Sequence, residues 1–412
     1  MAETQTQPLG AYAADAVRAA SEARGEPGWL AEKRQEAARA FEALPMPTQR
    51  SRPWKYTDVS GLSIAAHPPE ASFLPVVAVP EGGVPAGGYA GSLADALQDE
   101  RLAAVVEQHL GALIPATEGK FIAANASQWT GGVFVHAARG KAFEAPVTVG
   151  VTAQAGAVFP RMLIVAEAAS DVTVLVRCSS GDADVLASGV VEIVAGADSN
   201  VRVVFDVGWG AATRDFLSLR ARTDRGANVQ VATLAIGGAL VKHTLEGILE
   251  GEGSTGRFRG VALGDKDQHF DFVTLQNHIG RKTLSDVQIK AALAGGSRSI
   301  YYGVTRVEET AAGAAAEQEN RNLLLSGDAK ADSDPVLEIL TNEVIRCGHG
   351  ATVGPVDEEA LFYLQSRGLD RRQSLKLLVS GFFRSVLDDI ADEALLEEVT
   401  ASVERKLEVA RL

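Results

Sequence analysis

Apolar and polar residues along this chain follow two different periods. From about Phe121 to Pro355, short runs such as Val133-Phe134-Val135, Val147-Thr148-Val149 and Val172-Thr173-Val174 repeat every second residue or stay apolar throughout, as in strands with one or both faces covered. Small and polar corners separate the runs, and the corners look alike. Ser170-Asp171 precedes Val172, Ser199-Asn200 precedes Val201, and Ala227-Asn228 precedes Val229, so the equivalent valines fall 29 and 28 residues apart. Gly253-Ser254-Thr255-Gly256 and Ser285-Asp286 continue the theme with looser spacing. A repeat of this length, built from several short strands, predicts successive coils of a parallel β-helix in which each coil buries its inward side chains against the next. A β-sandwich also gives many short strands, but without a near-constant interval.

The flanks have the helical period. Residues 10 to 44 are alanine-rich, with Leu30, Ala37, Phe41 and Leu44 at helical spacing, and Pro45 and Pro47 stop the helix. The aromatic-basic cluster Trp54-Lys55-Tyr56-Thr57-Asp58 reads as two aromatics anchoring a helical cap, with a docking peptide as the alternative. Residues 67 to 91 are rich in proline and glycine and suit a loop or linker, and Ser92 to Leu110 is helical again. Beyond Pro355, Asp357 is placed to cap a helix carrying Leu361, Phe362 and Leu364, with Gly368 suited to end it. Asp370 with Gln373 forms a capping-box pattern. From Leu375, Leu378, Val379, Phe382, Phe383, Val386, Leu387 and Ile390 form one apolar stripe, and a last helix from Asp392 carries Leu395, Leu396, Val399 and Val403. The stripe reads as packing between helices or as a docking face for another protein. The expected organisation is thus mainly β. It has an amino-terminal helical region with a linker (1–120), a parallel β-helix core (121–355) and a carboxy-terminal helical domain (356–412).

Composition narrows the function. A formal charge of −14 opposes nucleic acid or an anionic membrane as main partner, since both need a basic footprint. The opening MAETQTQPLG does not read as a secretory signal, and no run approaches the roughly 20 apolar residues of a membrane helix. Two cysteines, Cys178 and Cys347, make a disulfide framework improbable, and a cytoplasmic location is the plain expectation.

Catalytic motifs are absent. The chain has no phosphate-binding Gly-x-x-x-x-Gly-Lys-Ser/Thr loop, dinucleotide fingerprint, Gly-x-Ser-x-Gly elbow or His-Glu-x-x-His pair. Asp328, Asp332 and Asp334 read as a solvated turn, and Asp267, His269 and Asp271 alternate along an expected strand. Cys178 reads as packing. The site candidates are Cys347 and His349 in the strand Val344-Ile345-Arg346-Cys347-Gly348-His349. Two residues apart on a strand, thiol and imidazole share one side, and both are ligands that zinc and iron–sulfur chemistry favour. Two ligands do not close a tetrahedral site, so the rest must come from distant residues or a second chain. The rival reading is a buried thiol on the same face as Ile345.

Asn320-Arg321-Asn322-Leu323-Leu324-Leu325-Ser326, Leu337-Glu338-Ile339, Cys347-Gly348-His349-Gly350-Ala351-Thr352-Val353-Gly354 and the stretch from Asp357 to Gly368 resemble the SufB/SufD family of iron–sulfur cluster assembly proteins. Trp54 to Asp58 resembles that family's amino-terminal motif. The SufD branch matches best, because His349-Gly350 stands where SufB-type chains show His-Glu, and Gly348 replaces the family's usual Ser. The resemblance implies a right-handed parallel β-helix and a non-catalytic scaffold. It also implies partnership with SufB and with SufC, an ABC-type ATPase docking on the carboxy-terminal helices. It places Cys347 and His349 at an interface where an iron–sulfur cluster or iron is held transiently. Two rivals remain. One is a structural solenoid homodimer with a zinc ion between two Cys/His pairs. The other is a β-helical carbohydrate-active enzyme, which predicts a secretion signal and a carboxylate cluster on one coil face, and neither is evident.

Overall fold

A computed structural model describes residues 9–80, 82–388 and 393–409. Its strands begin with β1 (Val76–Ala78), β2 (Tyr89–Ser92), β3 (Val133–Ala137), β4 (Val147–Ala153), β5 (Gly156–Val158) and β6 (Arg161–Ala166). They continue with β7 (Asp171–Ser180), β8 (Val185–Ala195), β9 (Asn200–Gly208), β10 (Arg214–Thr223), β11 (Asn228–Ala235), β12 (Leu240–Leu249) and β13 (Thr255–Gly264). The last are β14 (His269–His278), β15 (Leu284–Leu293), β16 (Arg298–Val307), β17 (Ala315–Leu324), β18 (Lys330–Ile339) and β19 (Arg346–Pro355). From β6 onward successive strands alternate between a ten-stranded and a nine-stranded sheet, each strand parallel to its neighbours. The result is a parallel β-solenoid of about eight turns with helices at both termini.

The repeat seen in the sequence is the coil. Val201 pairs in register with Val172 on one side and Val229 on the other, so the three valines stack. The corners leading into the nine-stranded sheet look alike for a backbone reason. Gly140, Ala169, Asp198, Gly226, Gly253, Lys282 and Gly313, one before each of β4, β7, β9, β11, β13, β15 and β17, all have positive φ. At Ala169, Asp198 and Lys282 an ordinary side chain accepts the left-handed conformation, which costs roughly 1–2 kcal/mol each unless offset by the corner's own hydrogen bonds.

Three apolar layers hold the fold. The lumen is filled by inward residues such as Val149, Val174, Val203, Phe258 and Phe272. Helices α1 (Ala14–Ala23), α2 (Gly28–Ala43), α3 (Leu93–Ala96), α4 (Glu100–His109) and α5 (Lys120–Gln128) form the amino-terminal region. They cover the outer side of the ten-stranded sheet through Leu30, Phe41, Phe121, Phe134, Leu163 and Phe216. At the other end of the chain come α6 (Glu358–Ser366), α7 (Arg371–Leu387) and α8 (Glu393–Val409). Val379, Phe383, Val386 and Leu387 of α7, with Val403 and Leu407 of α8, pack on Leu175, Val204, Leu234 and Leu263, outward residues of the nine-stranded sheet. The apolar stripe is therefore occupied by the chain's own sheet. Lys290 fastens the contact by donating to the Phe382 carbonyl and Ser385 Oγ, both at 2.7 Å. Ile390 and Asp392 lie outside the described residues, as do the side chains of Leu395 and Val399.

Caps form where the residues predict them. Asp357 accepts from the backbone of Glu359 and Ala360, Asp370 and Gln373 make the capping box, and Gly368 ends α6 at φ +96°. Three details differ from expectation. The helix over 10–44 is two helices, broken at Gly25 (φ +65°) and Pro27. The strand pattern expected from Phe121 begins at Val133, because Phe121, Ala123 and Ala124 are the buried face of α5. The proline-rich segment 67–91 contributes β1 and β2, which pair antiparallel with β4 and β3 and so cover the first edge of each sheet. No helix among the described residues is long and apolar enough to cross a membrane.

Candidate functional site

Among the described residues, one end of the solenoid is left uncovered. β18 and β19 are the terminal strands of their sheets, each with a single neighbour, β16 and β17. The alternation of a strand puts Cys347 and His349 on one side of β19, and the parallel register shows which side. Cys347 pairs with Ala316 and His349 with Gln318, and both partners are buried residues facing the lumen. The thiol and the imidazole therefore lie over the mouth of the lumen. Cys347 is half-buried against Val307, Ala311, Ala314 and Val344, whereas His349 is exposed.

Burial pushes the Cys347 thiol above its ordinary range and the nearby Glu317 carboxylate adds to this, while an Ala316 backbone N–H acts in the opposite direction. At neutral pH the group is a thiol, and any metal it takes must displace a proton. Glu317 is also ion-paired with Arg346 at 3.2 Å. A Cβ at Gly348 would meet its Oε2 at 2.8 Å, so the glycine leaves room for that carboxylate on the outward face of the strand.

Several large apolar residues are exposed at this end, beside the charged Glu338, Glu343 and Arg346. Ile339, Leu340, Ile345 and Val353 are 41–74% exposed. Ile345, which the rival reading put on one buried face with the thiol, is the most exposed of the four. Their alternation with Glu338 and Arg346 was the signal available, but the sequence does not say that no further coil follows. Among the described residues no three His, Cys, Asp or Glu side chains lie close enough to hold a metal ion, so Cys347 and His349 stand as an incomplete set.

The other candidates fall elsewhere. Asp267 sits in the turn before β14, not on it. His269 and Asp271 do share the outward face of β14, where both bind Thr57. Asp332 and Asp334 belong to strand β18 and not to a solvated turn; they pair with Arg298 and Arg52. Cys178 packs against the lumen core beside a cavity of about 30 Å³ that Trp209, Asp215 and His243 also line. Burial pushes its thiol well up, with the Asp215 and Asp206 carboxylates adding to the effect.

Residues 149–382, more than half of the chain, match the profile of the SUF system FeS cluster assembly, SufBD core domain. An iron-sulfur cluster assembly SufBD family protein of Mycobacterium tuberculosis is 32% identical over 226 residues, which cover 53% of this chain and 57% of the relative. The iron-sulfur cluster assembly protein SufB of Bacillus subtilis is 28% identical over 297 residues, 71% of this chain and 64% of the relative. A SufBD family protein of Staphylococcus epidermidis is 26% identical over 294 residues, 70% and 63%. The chain thus spans about three-fifths of the length of these relatives. With the core-domain match running through the coils and into α7, the chain belongs to the SufBD family of SUF-system iron–sulfur cluster assembly proteins.

Proposed function

We propose that this chain is a SufD-type scaffold subunit without turnover of its own, whose open end pairs with a homologous SufB-like subunit. The observation that carries the reading is the position of Cys347 and His349 on the last strand, over the lumen mouth, with exposed apolar residues on and beside the two terminal strands. Thiolate and imidazole suit iron or a nascent cluster, and two ligands require the facing subunit to supply others. The iron and sulfide are cargo, held transiently and passed on.

A SufC-type ABC ATPase is the proposed partner of the carboxy-terminal helices. The apolar stripe of α7 is used internally, so docking falls to the exposed residues Phe362, Tyr363 and Leu377. β19 is only two residues from the start of α6, so a movement of that helix acts directly on the strand bearing the thiol. Movement of the ATPase would in this way rearrange the open end and present Cys347 and His349 to iron and sulfide.

The test is Cys347→Ala and His349→Ala in cells that depend on this system. Cluster assembly should fall while the complex still forms, and unchanged assembly removes the metal role. The incomplete pair also fits a homodimer holding zinc between two copies. Elemental analysis of the chain alone and with its partners separates the two, since stable zinc at one ion per two chains would favour the homodimer.

A further inference from the structure

One motif singled out in the sequence takes no part in the site just described. Residues Arg52 to Asp58 lie on the outer side of the ten-stranded sheet and touch five of its strands. Trp54 stacks on Phe121 at 5.6 Å between ring centroids and lies against Phe216 of β10 at 6.0 Å. On β12, the buried Lys242 sits 4.7 Å from the Trp54 ring and donates to the Pro53 carbonyl. On β14, Asp271 accepts from Lys242 at 2.6 Å and from the Thr57 hydroxyl. Since the Thr57 proton goes to Asp271, His269 Nε2 donates to Thr57 Oγ1 at 2.9 Å. The segment is thus pinned to the middle of the sheet by buried groups.

Its remaining contacts reach the rim. Arg298 of β16 lies 5.7 Å from the Tyr56 ring and donates from Nε to Asp332 of β18 at 3.0 Å. Arg52 pairs directly with Asp334 of β18. β18 needs such support. It has one neighbour, none of its ten side chains is fully buried, and Pro335 removes a backbone donor from its centre. Its outward positions are Lys330, Asp332, Asp334, Val336 and Glu338, and none of them belongs to an apolar cluster among the described residues.

We propose that Arg52–Asp58 is an intramolecular clip, anchored through Trp54 and Thr57, that holds the terminal strand β18 in place and thereby sets the shape of the open end. Arg52, Tyr56 and Arg298 act as positioning residues for that surface. Only the consequence for partner binding rests on the scaffold reading; the clip itself is tested on the isolated chain.

The experiment is hydrogen exchange on the full chain, comparing wild type with the Arg52→Ala/Tyr56→Ala double variant and with Arg50→Ala, an exposed neighbour, as control. Both side chains reach toward the rim, to β18 and β16, so Trp54 and Thr57 keep the segment anchored and the protein folded. Amides that β18 donates to β16 should exchange about tenfold faster in the double variant, with those of β10 and β12 unchanged. Restoring the ion pair in swapped order, Arg52→Asp with Asp334→Arg, should recover much of the protection. Unchanged β18 exchange overturns the proposal, and so does an equal acceleration in every strand, which would mean general destabilisation and no clip. If exchange responds but binding of a SufB-like partner does not, the clip stands and the assignment of the open end as the pairing surface fails.

Discussion

His349 stands in register with Gln318 across the β17–β19 ladder, on the same side of the sheet. Gln318 is buried, accepting from the Tyr301 hydroxyl at 2.9 Å and donating to the Val336 carbonyl at 2.9 Å. One coil later the equivalent imidazole is exposed. The difference lies in the absence of a following coil, so exposure of the candidate site is a property of where the stack stops.

Because both site side chains sit at that rim, neither carries much of the fold. His349→Ala should change stability by no more than about 0.5 kcal/mol and Cys347→Ser by about 1 kcal/mol. Urea denaturation of the purified variants checks this, and a loss of several kcal/mol would mean the residues are structural.

Metal uptake through Cys347 should rise with pH. Its thiol is held above the ordinary range, so cobalt binding to the isolated chain must expel a proton. Thiolate-to-cobalt absorbance should be weak at pH 6.5 and grow toward pH 9, and Cys347→Ser should remove it. An intensity that does not change with pH would show that this thiol is not the ligand.

Two other histidines make the fold sensitive to acid. Burial holds His269 at a pKa of about 4, with Asp271 opposing and Arg298 and Lys242 adding to the depression. His278, buried between Thr283 and Ser285, is likewise held at about 4. An unfolded imidazole binds its proton near pH 6.5, so from there down to pH 4 the unfolded chain takes up more protons than the folded one. The stabilisation is complete above pH 6.5 and is lost on acidification, by up to about 3 kcal/mol per histidine. The melting temperature should fall between pH 7 and pH 4.5, and His278→Gln should flatten that part of the curve.

Arg161 and Glu192 form an ion pair with side chains at most 2% exposed. Glu192 also accepts from the backbone of Gly111, Leu113 and Ile114 at 2.8–3.0 Å, tying the amino-terminal loop to β8. Glu192→Ala strands the arginine and three N–H groups, and should cost about 3–5 kcal/mol in chemical denaturation. Arg161→Ala/Glu192→Ala together should cost less than the sum of the two single changes.

Phe383 is fully buried between α7 and the nine-stranded sheet. Phe383→Ala should destabilise by about 3–5 kcal/mol and raise hydrogen exchange in α7 and α8 before the coils. Leu377→Ala, on the exposed side of the same helix, should be silent in stability and, on the proposed reading, weaken ATPase docking.

Local signals are legible in the sequence. The 28–29-residue interval is the length of one coil, because successive coils repeat a left-handed corner position and, from Val172 through Val201 to Val229, an inward valine. Asp357, Asp370 with Gln373, and Gly368 marked the carboxy-terminal helix ends because caps are made with residues within three positions. The pairing of Cys347 with His349 followed from the period of a strand alone. Chain order could not show which surfaces meet. That the α7 stripe is spent on the outer side of the nine-stranded sheet depends on a return across some two hundred residues. That Thr57 meets Asp271, and Arg52 meets Asp334, depends on separations of 214 and 282 residues. The sequence determined that this chain coils and that a thiol and an imidazole share a face. The tertiary structure decided that the face belongs to the last coil, where positions that are buried one layer earlier lie at the rim of the lumen.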